Sequence, residues 1–155
     1  MPLHDMLDED RIAQLASAGS RNAVIDAAAR LLAGAAAPME LVANIRNSLL
    51  ARETLASTSI GHGVALPHGR IADLDETRCA FLQLDPAVDF GALDGQPVDL
   101  VVAMAVPEHF VQEHLHRLAE VAERFSDPAF RAALRAAGSP AELYRLLAAE
   151  RPAAA

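Results

Sequence analysis

Apolar positions recur with helical spacing in the first and last thirds of the chain and bunch into short, dense runs in the middle. Ser20 is placed to cap a helix from Arg21 that carries Ala23, Val24, Ala27, Leu31 and Leu32 and ends at Gly34. Pro38 suits the first position of a second helix, with Leu41, Val42, Ile45, Leu49 and Leu50 on its apolar side, running toward Arg52 and Glu53. The period then changes. Val64 to Leu66, Cys79 to Leu84 and Val98 to Val106 are short runs set between Gly, Pro and Asp, which predicts strands. Leu100 to Val106 is apolar throughout, the pattern of a central strand covered by helices on both faces. Helical spacing returns from about Phe110 to Phe125, and Ser126, Pro128, Ser139 and Pro140 punctuate two more helices ending near Ala149.

The order is therefore helix, helix, several strands and three helices, with one further strand near Ala13 to Ala16 behind a poorly defined N-terminal segment. That order predicts an α/β fold in which one sheet is sandwiched by helices. At 155 residues the chain makes a single domain, its core spanning about residues 10–149 between frayed ends that include the tail RPAAA. No internal repeat, linker or second-domain boundary interrupts it.

Charge narrows the classes of partner. The formal net charge is -8, all thirteen cations are Arg, and they form no basic stripe, which argues against nucleic acid. Aromatic residues make up only 4%, too few for a base-stacking surface. Cys79 stands alone inside an apolar run, a packing position, and no disulfide framework exists. The acidic N-terminus lacks the basic flank and apolar stretch of a signal peptide, and no run of about 18 apolar residues occurs. The reading is a cytoplasmic protein with no membrane insertion.

The stretch GHGVALPHGR, Gly61 to Arg70, holds two histidines. It lacks the third glycine of a dinucleotide fingerprint and leads into a strand. The chain also has no GxxxxGK[ST] loop, GxSxG elbow or HExxH pair. Metal binding by His62, His68 and His114 competes, but spacing weakens it: His114 and His116 stand about 200° apart on a helix and cannot share one ion. His114 lies on the apolar stripe with Val111, Leu115, Leu118, Ala122 and Phe125, whereas His116 shares a face with Glu120 and Glu123. His114 thus points to the sheet, as a core histidine or a functional one, and His116 to solvent. His68 is held between Pro67, which fixes a backbone angle, and Gly69, which leaves one side open to a bulky partner. That presentation suits a nucleophile. Phosphoryl transfer to histidine needs a neutral ring, one nitrogen available for attack, the other held, and donors for a group carrying roughly -1.5 to -2 charge. Arg52, Ser57, Thr58 and His114 are of the right kinds. Arg52 equally suits a cation offsetting a helix dipole, and Ser57 and Thr58 equally suit a turn.

ARETLASTSIGHGVALPHGR, FGALDGQPVDLVVAMAVP, EHLHRLAEVAERF and LRAAGSPAELYRLL, taken in order, resemble the enzyme IIA proteins of the mannitol/fructose class of the bacterial phosphotransferase system. The likeness runs from about Ser20 to Leu147 and is strongest to the nitrogen-branch regulatory members. It implies a mixed sheet with helices on both sides. It also implies that His68 is phosphorylated by an HPr-like phosphohistidine carrier, with His114 as the second active-site histidine and Arg52 near the phosphoryl group. Ser57 and Thr58 fall in the family's hydroxyl-bearing stretch, and His62 falls at a variable loop position, on the rim at most. No cofactor and no metal are implied. The acceptor is either a set of regulatory target proteins or, for a sugar-specific member, a IIB domain. A binding module whose histidine is no longer phosphorylated is the remaining rival.

Overall fold

Ser20 caps the first helix, α1 (Arg21–Ala33): its hydroxyl accepts from the Ala23 N–H at 3.1 Å, and Gly34, at φ 95°, closes the far end on Arg30 O. The computed structural model describes residues 3–109 and 111–149, Val111 by its backbone alone. Phe110, expected to open a helix, the Val111 side chain and the tail from Arg151 to Ala155 lie outside the described residues. The second helix, α2, spans Met39–Leu55. Pro38 stands just before it, with extended ψ 150°, and its carbonyl accepts the Leu41 and Val42 N–H groups, so it caps the helix instead of occupying the first turn.

Six strands form one mixed sheet: β1 (Leu7–Ala16), β2 (Ser59–Gly61), β3 (Val64–Ala65), β4 (His68–Ile71), β5 (Arg78–Val88) and β6 (Val98–Pro107). The order is β1-β5-β6-β3-β2, with β4 also on β6; β5/β6 and β2/β3 are antiparallel and the other pairs parallel. The N-terminal segment is more ordered than its polar sequence suggests. A 3₁₀ turn at Leu3–Asp5 precedes β1, Leu3, Met6 and Leu7 are buried, and the core begins there and not near residue 10. Its acidic run Asp8 to Asp10 is exposed where β1 shifts register against β5, a place an edge strand can carry charge.

Alternation along β6 divides the interior in two. Val101, Ala103 and Ala105 face α1 and α2, where Ile25, Leu32, Ile45 and Leu49 pack. Leu100, Val102, Met104 and Val106 face the other side. There they meet α3 (Val111–Phe125), α4 (Pro128–Ala136) and α5 (Pro140–Ala148) through Val121, Phe125, Leu134, Leu143 and Leu147. The strand predicted as central is buried along both faces, and helices cover both sides of the sheet as expected.

β3 and β4 act as one strand broken in the middle, running beside β6 from Val64, opposite Leu100, to Ile71, opposite Pro107. The break is at Leu66 and Pro67. Proline has no N–H for the ladder, yet its carbonyl still accepts from the Met104 N–H at 2.9 Å. The strand resumes at His68.

Candidate functional site

In parallel pairing, residues in register share a face, and His68 is opposite Met104. Its ring therefore points to the α3 side. There it meets His114: the ring centroids are 5.2 Å apart and tilted by 54°. His114 is 6% exposed, while His116 is exposed and paired to Glu120 at 2.6 Å, so the two face inward and outward as their spacing predicts. Leu115 departs from expectation. It is 61% exposed, because at 100° per residue it follows His114 around the helix and away from the sheet.

The His68 Nδ1 lies 2.8 Å from the Leu66 carbonyl oxygen. A carbonyl only accepts, so Nδ1 carries the hydrogen, and in the neutral ring Nε2 holds the lone pair. The half-buried ring has its pKa lowered by desolvation, which outweighs the opposing bond to Leu66; the Arg52 charge adds to the lowering and the Glu53 charge opposes it. Burial likewise lowers His114 to about 4, helped by His68, Arg70 and Arg117. Its Nδ1 is buried with no hydrogen-bond partner among the described residues.

Gly69 faces the opposite way, opposite Ala105 and toward α2. Its open side is filled from within the chain and is not left for a partner: a Cβ there would lie 2.2 Å from Ser48 Oγ and 3.1 Å from the Ser48 backbone carbon. The missing side chain lets α2 close on β4, where Ser48 Oγ donates to Arg70 O at 3.1 Å. Arg52 follows one turn later on the same face of α2. Its guanidinium donates to Ala56 O at 2.8 Å, over the end of its own helix, and its charge reaches His68.

The hydroxyl stretch is brought in by the sheet. The Leu66 N–H donates to Thr58 O at 3.1 Å, placing Ser57 and Thr58 beside the interruption that precedes His68. Ser57 Oγ accepts from the Ser59 N–H at 3.2 Å, leaving its own hydrogen to donate. Thr58 is buried and turned inward, its N–H and Oγ1–H both donating to Glu53. Glu53, named in the sequence only as lying toward the end of the second helix, is 2% exposed. The signal was available: the buried stripe Val42, Ile45, Leu49 continues at Glu53, and a carboxylate on such a stripe needs a reason.

His62 does not join the group. It sits with φ 58° in the β2–β3 turn, exposed, its N–H on Asp94 and its carbonyl taken by Arg135. Four residues of strand separate Val64 from His68 along β6, about 13 Å, and His62 lies beyond Val64. It is neither on the rim of the site nor a ligand shared with His68 and His114.

Residues 5–150 match the phosphoenolpyruvate-dependent sugar phosphotransferase system EIIA 2 family, and the chain belongs to it. Its relatives include the nitrogen regulatory protein of Escherichia coli (strain K12), 43% identical over 102 residues, which span 64% of this chain and 62% of that protein. The match thus takes in less than two thirds of that relative's length. The nitrogen regulatory protein of Pseudomonas aeruginosa is 38% identical over 129 residues, 83% of each chain. The crystal structure of nitrogen regulatory protein IIA-Ntr from Neisseria meningitidis superposes with a TM-score of 0.84 at 33% identity, over 94% of this chain and 98% of that one.

Proposed function

We propose that the chain is a phosphoryl carrier in the cytoplasm, in which His68 Nε2 accepts a phosphoryl group from an HPr-like phosphohistidine protein. The observation that carries this reading is the 2.8 Å bond from Nδ1–H to Leu66 O, which leaves the Nε2 lone pair for attack beside a second histidine and an arginine. As the N–P bond to His68 forms, the donor's N–P bond breaks. Each ring keeps the hydrogen on its other nitrogen, so no further reactant is needed. Arg52, His114 and the Ser57 hydroxyl stabilise the phosphoryl oxygens. Thr58 supports them from behind, since its hydroxyl hydrogen is engaged by Glu53.

The kind of relative supports one class of acceptor over the other. Similarity to nitrogen regulatory proteins favours a regulatory member, whose phosphorylation state governs its binding to target proteins, over a sugar-specific one that passes the group to a IIB domain. The test is incubation with phosphoenolpyruvate, the first enzyme of the system and an HPr-like protein. An acid-labile, alkali-stable phosphate that disappears in His68→Ala supports the carrier. A wild-type chain that takes up no phosphate would leave a binding module in its place.

A further inference from the structure

We propose that Glu53 is a positioning residue for the His68 acceptor: its carboxylate holds Thr58, Thr58 holds Leu66, and the Leu66 carbonyl keeps the His68 hydrogen on Nδ1. This rests on the carrier reading of His68. The chain of contacts is continuous. Glu53 Oε2 accepts from the Thr58 N–H at 2.8 Å and Oε1 from the Thr58 hydroxyl at 2.6 Å. The Thr58 carbonyl accepts from the Leu66 N–H at 3.1 Å, and the Leu66 carbonyl accepts from His68 Nδ1 at 2.8 Å. Leu66 is thus gripped at both ends at the point where β3 breaks off, with only two residues of regular strand before it.

Packing alone does not account for Glu53. Its position continues the apolar stripe of α2, where a leucine would bury without the desolvation penalty that a carboxylate carries. Both its oxygens are committed to one residue of the loop that leads to the site. Its negative charge also acts on His68 in the sense opposite to Arg52, favouring a more basic ring. A ring that loses its tautomer presents N–H and not a lone pair to the donor, and that fraction of molecules cannot react.

The test measures two things on the full chain: the initial rate of phosphate uptake from the phosphorylated HPr-like donor, and the His68 tautomer from long-range 15N–1H spectra of the unphosphorylated protein. Glu53→Gln removes the charge and one acceptor. It should slow uptake about tenfold or more and bring up an Nε2–H form of His68 that the wild type lacks. A folded Glu53→Gln protein with the wild-type tautomer overturns the proposal, even if uptake slows, because its role would then be structural only. Should Glu53→Gln fail to fold, Thr58→Val carries the test: it cuts the 2.6 Å bond and leaves the N–H bond in place. Thr58→Ser, which keeps the hydroxyl, should retain the wild-type tautomer, and an unchanged tautomer in Thr58→Val overturns the proposal. A wild type that takes up no phosphate sinks the carrier reading instead, a result the tautomer measurement cannot be confused with.

Discussion

His114 is a side chain whose burial costs folding stability and which the proposed transfer would use. It is buried, its Nδ1 has no hydrogen-bond partner among the described residues, and it faces His68, Arg70 and Arg117, so its charged form is disfavoured and its pKa falls to about 4. In the unfolded chain the same ring protonates near the ordinary histidine value of about 6.5. Between these values the unfolded state binds a proton that the folded state refuses. Stability is therefore full above pH 6.5, drops as pH falls toward 4, and is insensitive to this group below that; His68, shifted in the same direction, adds to the effect. Between pH 7 and pH 4.5 the His114 contribution is about 2–3 kcal/mol. Urea unfolding at pH 7 and pH 4.5 checks it: His114→Asn should lose clearly less stability than wild type between the two. At neutral pH the deletions should separate by role. His114→Ala should fold yet slow phosphate uptake by about ten- to a hundredfold, the scale of losing one aligned donor. His116→Ala removes an exposed pair with Glu120 of a few tenths of a kcal/mol and should leave the rate as it was. A larger loss in His116→Ala would contradict the face assignment.

At the scale of elements, the site depends on how closely α2 approaches β4. Gly69→Ala places a carbon against Ser48 Oγ and against the helix backbone, so α2 itself must shift. We expect a loss of about 1–3 kcal/mol, measured as a lower urea midpoint, together with slower phosphate uptake because Arg52 rides on the same helix. Adding Ser48→Ala removes the contact with Oγ but not those with Ser48 Cβ and its backbone carbon, at 3.0 and 3.1 Å, so it should recover only part of either loss. A Gly69→Ala protein as stable as wild type would mean that this approach is not tight. The same elements show what could be read from sequence. α1, α2, α4, α5, β5 and β6 each carry enough period and punctuation to be read within a few residues. β2 and β4 do not: at three and four residues, with Gly, His and Arg among them, they have no period of their own and exist because β3 and β6 offer partners. His68, His114 and Arg52 stand out as candidates because their residue types and the surrounding motif are distinctive. Glu53 is marked in the sequence only by its place on the apolar stripe of α2; that its carboxylate is buried against Thr58, five residues on, is a tertiary fact. The open side of Gly69 is legible in the sequence, but whether it admits a partner or a neighbouring helix depends on what packs beside it.

Across the whole molecule, many of the arginines are drawn into the frame: Arg78 bonds the last carbonyls of α1, Arg131 bonds Phe125 O at the end of α3, and Arg135 pairs with Asp99. In a chain of net charge -8, the cations whose fields reach the histidines, Arg52, Arg70 and Arg117, make the site a local exception to an acidic surface. Exposed leucines stand next to it in sequence: Leu55 directly precedes Ala56, which holds Arg52, and Leu115 follows His114. On the proposed carrier reading a protein donor must cover the histidine face for the phosphoryl group to reach His68, and apolar side chains exposed beside it would gain by being covered. Leu55→Asp and Leu115→Asp should each raise the KM for the phosphorylated donor about tenfold while leaving unfolding within about 0.5 kcal/mol of wild type, as exposed substitutions do. Met39→Asp is the matched control. Met39 is 75% exposed on the same helix as Leu55, but sixteen residues away, about 24 Å along the axis. If docking uses the histidine face, Met39→Asp leaves KM unchanged. If all three variants raise KM alike, the cause is added negative charge on an acidic protein, and the docking face must be sought elsewhere on the surface.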